Sequence, residues 1–207
     1  MQQGIFITIE GIEGVGKSTA VNFIKDYFSK QQIPFIATRE PGGTGIAEQI
    51  RKILLTPSEE TMLPETELLL MFASRAQHIA TVIKPALEVG QCVICDRFDD
   101  ASFAYQGGGR GIDLAYIKNL DDWLVKRRPD ITFLLDASPE LGLMRAKHRG
   151  PQDRIEQEKT IFFDRVRAVY LERAKQDTKR FKIIDASQSI EAVQREIKAI
   201  LDNLGLQ

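Results

Sequence analysis

Apolar residues crowd into short runs at 5–9, 34–38, 91–95, 131–136 and 181–185. Each run is too short for a typical helix and is rich in Ile, Val, Phe and Thr, which favours a strand. Between the runs, apolar positions recur at helical spacing over roughly 17–31, 45–55, 65–89, 113–127, 139–148, 157–177 and 189–204. Strands that are apolar almost throughout, alternating with amphipathic helices, predict an α/β fold: a five-stranded parallel sheet with helices on both faces. No repeat, low-complexity tract or linker interrupts this alternation, so one domain over 1–207 is expected. Sheets of this kind hold their ligands at the carboxyl ends of the strands.

The strand ends carry the candidate chemistry. After the first comes GIEGVGKS, Gly11 to Ser18, which fits G-x-x-x-x-G-K-[ST]. Glycines there let backbone N–H groups approach an anion, and the following helix adds the positive end of its dipole. Lys17 can reach β- and γ-phosphates, and the Ser18 hydroxyl can hold Mg²⁺. The second strand leads into TREPGGTG, Thr38–Gly45, and the third into DRFDDASFAYQGGGRG, Asp96–Gly111. Asp96 ends an apolar strand, a place suited to Mg²⁺ or its waters, and Arg97 beside it can fork onto a phosphate. A basic run, RAKHRGPQDR, spans Arg145–Arg154 and suits a lid closing over phosphate at about 145–155. In ELLLMFASRAQH, Met71, Phe72 and Arg75 share a helix face, an apolar surface beside a guanidinium that fits a planar polar base.

Composition narrows the classes. With 28 Lys and Arg against 29 Asp and Glu the net charge is -1, so no basic field recruits nucleic acid. The chain shows no 18-residue apolar stretch and no basic-then-apolar leader, so a soluble, cytoplasmic protein without membrane attachment is expected. Cys92 and Cys95 form a lone C-x-x-C within a strand, on opposite faces, which points to buried free thiols rather than zinc. An N-K-x-D guanine reader is absent, which counts against a nucleotide switch. A kinase for another monophosphate and a non-catalytic nucleotide-binding module are the competing readings.

EGIEGVGKS, TREPGGTG, MFASRAQH, DRFDDASFAYQGGGRG and QDRIEQE together resemble bacterial thymidylate kinases, from about residue 5 to about 187. The resemblance implies a P-loop nucleoside monophosphate kinase, a homodimer, moving the γ-phosphoryl of ATP to dTMP with Mg²⁺. It implies that Gly11, Ile12, Glu13, Gly14, Val15, Gly16, Lys17 and Ser18 hold the ATP phosphates, joined by Arg145 and Arg154. Glu40 and Pro41 would line the acceptor site, Arg51 and Arg97 would grip the dTMP phosphate, and Arg75 would read thymine beside Met71 or Phe72. Ser102, Tyr105 and Gln106 would contact base and sugar, and Glu13 would sit near the sugar 3′-OH. Other members carry an arginine at the slot of Gly14; its absence assigns the catalytic arginine to the lid, as Arg149 with Arg154 the alternative. The catalytic set is therefore Lys17, Glu13, Arg97 and Arg149, with Ser18 and Asp96 on the metal. The nucleophile is a phosphate oxygen, whose second pKa is about 6, so no general base is required.

Overall fold

The computed structural model describes residues 4–147 and 152–204. Its sheet is five-stranded and parallel in the order β2-β3-β1-β4-β5, with β1 at Phe6–Glu10, β2 at Phe35–Arg39, β3 at Cys92–Asp96, β4 at Ile131–Asp136 and β5 at Phe181–Asp185. The three central strands are buried almost end to end, which is why they read as unbroken apolar runs; the edge strands β2 and β5 are mixed. The register sets Ile9 beside Asp96 and Glu10 beside Leu134. Both neighbours of β1 thus end level with the phosphate loop.

One face of the sheet packs Ile7, Ile9, Ile94 and Phe133 against Ala20, Ile24 and Phe28 of α1 (Lys17–Lys30) and Phe163 and Val166 of α8 (Thr160–Gln176). The other face packs Phe6, Val93 and Cys95 against Ile83 and Leu87. Cys92 and Cys95 therefore lie on opposite faces, both buried and free. Burying one such aliphatic or aromatic side chain contributes about 1.5–3 kcal/mol, so these layers dominate the stability.

The remaining helices are α2 (Gly45–Leu55), α3 (Pro64–His78), α4 (Lys84–Glu88), α5 (Asp99–Ser102), α6 (Leu114–Leu124), α7 (Pro139–Lys147) and α9 (Ile190–Asp202). A π-helical turn over Ile79–Ile83 joins α3 to α4, so the single helix expected at 65–89 is continuous, with one turn widened to i→i+5 hydrogen bonding. The segment after β3, outside the helical runs read from the sequence, is helical: α5 runs on as a π-helix over Phe103–Gly109. Its glycines are there for packing. A Cβ on Gly109 would sit 2.4 Å from the Phe162 ring, and one on Gly108 2.8 Å from the Arg165 carbonyl oxygen. Bare backbone lets α8 press directly on this helix, and the Arg165 guanidinium caps the Gly109 carbonyl at 2.7 Å.

Candidate active site

The loop between β1 and α1 presents an anion cradle. Gly16 caps α1 with no side-chain partner, and the first helical turn holds no acidic residue, so its N–H groups stay available to a phosphate. Ile12 and Val15 are buried in the core and anchor the loop to it. Lys17 folds back to donate to the carbonyl oxygens of Ile12 at 2.7 Å and Gly11 at 3.1 Å. Burial, then the neighbouring charge of Arg97, lowers its ammonium pKa to about 8. Gly14 explains the missing loop arginine. Its φ is +74°, and a Cβ there would lie 1.8 Å from the Gly142 carbonyl oxygen of α7. The helix backbone occupies the space a side chain would need.

Two clefts flank this loop and share Gly14 and Ser18. The first is a half-open cleft running from the loop toward α3. It is lined by Glu13, Lys17, Glu40, Pro41, Arg51, Met71, Arg75, Asp96, Arg97, Ser102, Tyr105 and Gln106. Residues scattered from 13 to 106 thus meet in one cleft. The structure separates Met71 from Phe72: Met71 lines the cleft, whereas Phe72 is 2 % exposed and packs with Leu68, Phe103 and Ile117. Helical rotation of one residue turns Phe72 inward, where its ring lies 4.8 Å beneath the Arg75 guanidinium. Phe72 supports the arginine rather than facing the cleft.

Arg97 is held tightly. Its backbone sits at φ +69°, an uncommon conformation for a non-glycine residue. The guanidinium donates to the Gly11 carbonyl oxygen and to Glu13 Oε1, each at 2.7 Å, and lies 4.7 Å over the Tyr105 ring. Tyr105 in turn donates to both Glu13 carboxylate oxygens. Arg75 donates to Glu40 Oε2 at 2.7 Å, Ser102 Oγ at 2.9 Å and the Phe98 carbonyl oxygen at 2.8 Å. Arg51 donates to the Pro41 carbonyl oxygen at 2.8 Å, and the Glu40–Pro41 peptide is cis.

The second cleft lies across the loop, lined by Arg145, Ala186, Gln188, Ile190, Val193 and Gln194 as well as loop residues. Arg145 is positioned there by donating to the Ala186 carbonyl oxygen at 2.8 Å. The β5–α9 segment, with DASQS at Asp185–Ser189, is the part of the site to which sequence reasoning assigned no role; its position at a strand end was the available pointer. Arg154, expected among the donor-site arginines, is elsewhere. Its guanidinium donates to Glu67 Oε2 at 2.6 Å and the Leu54 carbonyl oxygen at 2.7 Å, on the acceptor side of the loop. Glu67, 1 % exposed, also accepts from Gln106 Nε2 and Arg110 Nε. These bonds hold Arg154 on the acceptor side. Arg149 lies outside the described residues.

The oxygen donors for a cation are few. Ser18 and Asp96 line the same cleft as Lys17, and among the described residues no cluster of three or more His, Cys, Asp or Glu could form a cage. One hydroxyl and one carboxylate fit Mg²⁺ carried on nucleotide phosphates, since that ion keeps waters and phosphate oxygens as its other ligands. No described helix is long and apolar enough to cross a membrane.

Comparison with known proteins agrees along the whole chain. The family model for thymidylate kinase matches residues 9–197. A thymidylate kinase from Ruthia magnifica is 52% identical over 205 residues, covering 99% of this chain and 100% of the relative. One from Pseudomonas entomophila is 52% identical over 202 residues, covering 97% and 96%. The crystal structure of thymidylate kinase from Ehrlichia chaffeensis superposes with a TM-score of 0.77 at 33% identity, covering 97% of this chain and 99% of that one.

Proposed function

This chain belongs to the thymidylate kinase family, and from that premise we propose how its site works. The enzyme phosphorylates dTMP to dTDP with ATP as donor. The observation that carries the assignment of roles is the pair of clefts meeting at Gly14 and Ser18, with Lys17 and Arg97 lining the first of them. In this reading dTMP occupies the cleft of Arg75, Met71 and Tyr105, and the ATP base occupies the cleft of Arg145 and Gln188. Two nucleotides so placed bring donor and acceptor phosphates together over the loop.

The barrier to transfer is repulsion between anions, and the residues answer it with positive charge and alignment. The loop N–H groups and Lys17 hold the ATP phosphates. Arg97, braced by Glu13 and Tyr105, and Arg51 take the dTMP phosphate. Arg75, which lines the cleft, meets the base while Met71 covers it. Ser18 and Asp96 would hold Mg²⁺, which when bound supplies charge neutralisation across the β- and γ-phosphates. The acceptor oxygen is largely ionised at neutral pH, its pKa being about 6, and no base need take a proton from it. We place the reaction in the cytoplasm, where buried thiols such as Cys92 and Cys95 stay reduced. Two copies associate through α3, whose outer face carries an exposed Leu69.

The direct test is ADP formation from ATP in the presence of dTMP, dUMP, dCMP or AMP. dTMP should give the highest kcat/KM. Equal rates with and without dTMP would sink the assignment.

A further inference from the structure

Behind the acceptor cleft lies a buried polar chain that the reaction itself does not use. Glu40 Oε2 accepts from Arg75 Nε at 2.7 Å, and its other oxygen, Oε1, lies 2.9 Å from His78 Nδ1. The far ring nitrogen, Nε2, lies 2.7 Å from Thr38 Oγ1. A carboxylate only accepts, so Nδ1 carries a hydrogen; in the neutral ring Nε2 accepts from the Thr38 hydroxyl. His78 has no exposed surface, Arg75 is 2 % exposed and Glu40 5 %. Arg75 and His78 stand three residues apart on α3, so one helix face offers both partners to one carboxylate. The loop after Glu40 closes over the chain: a Cβ on Gly43 would lie 2.6 Å from His78 Nε2 and 2.7 Å from Thr38 Oγ1. Gly42 N also donates to Ser74 Oγ on α3.

We propose that His78 is a positioning residue for recognition of the acceptor base. By binding one oxygen of Glu40 it fixes the orientation of the carboxylate whose other oxygen aims the Arg75 guanidinium. Without that bond a buried carboxylate oxygen loses its partner and the group is free to rotate, and the Arg75 guanidinium that lines the cleft shifts with it. The proposal rests on the reading that Arg75 faces the base of dTMP. It concerns the acceptor alone, because the donor cleft shares no residue with this chain.

The experiment compares wild type, His78→Leu and His78→Asn in steady-state kinetics for both substrates, with urea unfolding to establish that each is folded. Losing a hydrogen bond to a charged group should raise the dTMP KM about tenfold or more in His78→Leu and leave the ATP KM within about twofold. His78→Asn, whose side-chain amide can donate from near the Nδ1 position, should recover most of the loss. A merely structural histidine would raise both constants or neither, and would not be rescued by Asn. An unchanged dTMP KM in His78→Leu, an equal rise for ATP, or an Asn variant no better than Leu overturns the proposal. Should His78→Leu not fold, Thr38→Val removes the anchor of the far nitrogen and should also raise the dTMP KM selectively; an unchanged value overturns it. A wild-type protein that makes no ADP in response to dTMP overturns the acceptor reading and the proposal with it, whereas the other outcomes overturn the proposal alone.

Discussion

Two titratable groups flanking the phosphate loop respond to pH in different ways. Lys17 is lowered to about 8 by burial and by Arg97, so it loses its charge as the pH rises through that value. Bound phosphates would hold the proton on, so the loss belongs to the free enzyme. kcat/KM for ATP should therefore fall above about pH 8 while kcat persists to higher pH. Lys17→Ala should lower kcat by about a hundredfold or more, and a folded variant keeping over about a tenth of wild-type kcat contradicts the assigned role. Glu10 is fully buried, accepts from Phe98 N at 2.7 Å and lies 2.6 Å from the Tyr170 hydroxyl. Burial, then repulsion from Asp100, raises its pKa from 4.5 to about 8. The folded chain thus keeps a proton in that window that the unfolded chain releases. The stability Glu10 contributes is complete below about pH 4.5 and lost as pH rises through about 8. Glu10→Gln keeps an acceptor for Phe98 and offers an N–H to Tyr170. Its melting temperature should drop less than that of wild type between about pH 6 and about pH 9, and equal drops would remove Glu10 as the source.

At the scale of elements, the lid arginines divide by what holds them. Arg145 on α7 is fixed beside the donor cleft by the Ala186 carbonyl, and Arg154 is engaged by Glu67 and Leu54. Arg149→Ala is therefore expected to cut kcat with little change in dTMP affinity, while Arg154→Ala should act on the dTMP side through Glu67 and Gln106. Measuring kcat and equilibrium dTMP affinity for the three single alanine variants decides this. Near-wild-type kcat in all of them would mean that catalysis does not draw on this segment. The same scale shows what a sequence discloses. The sheet was legible because each central strand is buried on both faces, which leaves a local apolar run. The phosphate loop was legible because its residues are contiguous. The helix over 99–109 was not: Gly107, Gly108 and Gly109 suit a loop locally, and the contacts that favour a helix come from Phe162 and Arg165, far along the chain. Phe72 and Met71 are one residue apart, and only the packing of α3 against α6 through Leu68, Phe72 and Ile117 decides which faces the cleft. His78, Glu10 and Tyr170 escaped notice as site supports because their partners are separated in sequence by 38 to 160 residues.

For the whole molecule the question is what covers the outer face of α3. Its inner face carries Leu68, Phe72 and Arg75 toward the core and the acceptor cleft. Its outer face carries Leu69, 58 % exposed, then Ala73, Ala76 and, past the helix end, Ala80, at positions that fall on one side of a continuous helix. Small residues at that spacing let a second helix approach closely, and a large exposed leucine at the end of the row would be buried by it. Leu114, Tyr116 and Trp123 of α6 are also exposed, Trp123 at 69 %. An apolar stripe of this kind is the surface expected of a self-associating chain. Sedimentation or light scattering should accordingly give twice the 23.4 kDa of one chain. Ala73→Glu places a charge in the middle of the stripe without touching the core, so it should shift the species to the single-chain mass while the unfolding profile stays cooperative. Because Met71 and Arg75 project from the opposite side of the same helix, loss of the partner should loosen their placement and raise the dTMP KM more than the ATP KM. A wild-type protein that sediments as a single chain at micromolar concentration, or an Ala73→Glu variant that stays paired, would rule out α3 as the contact.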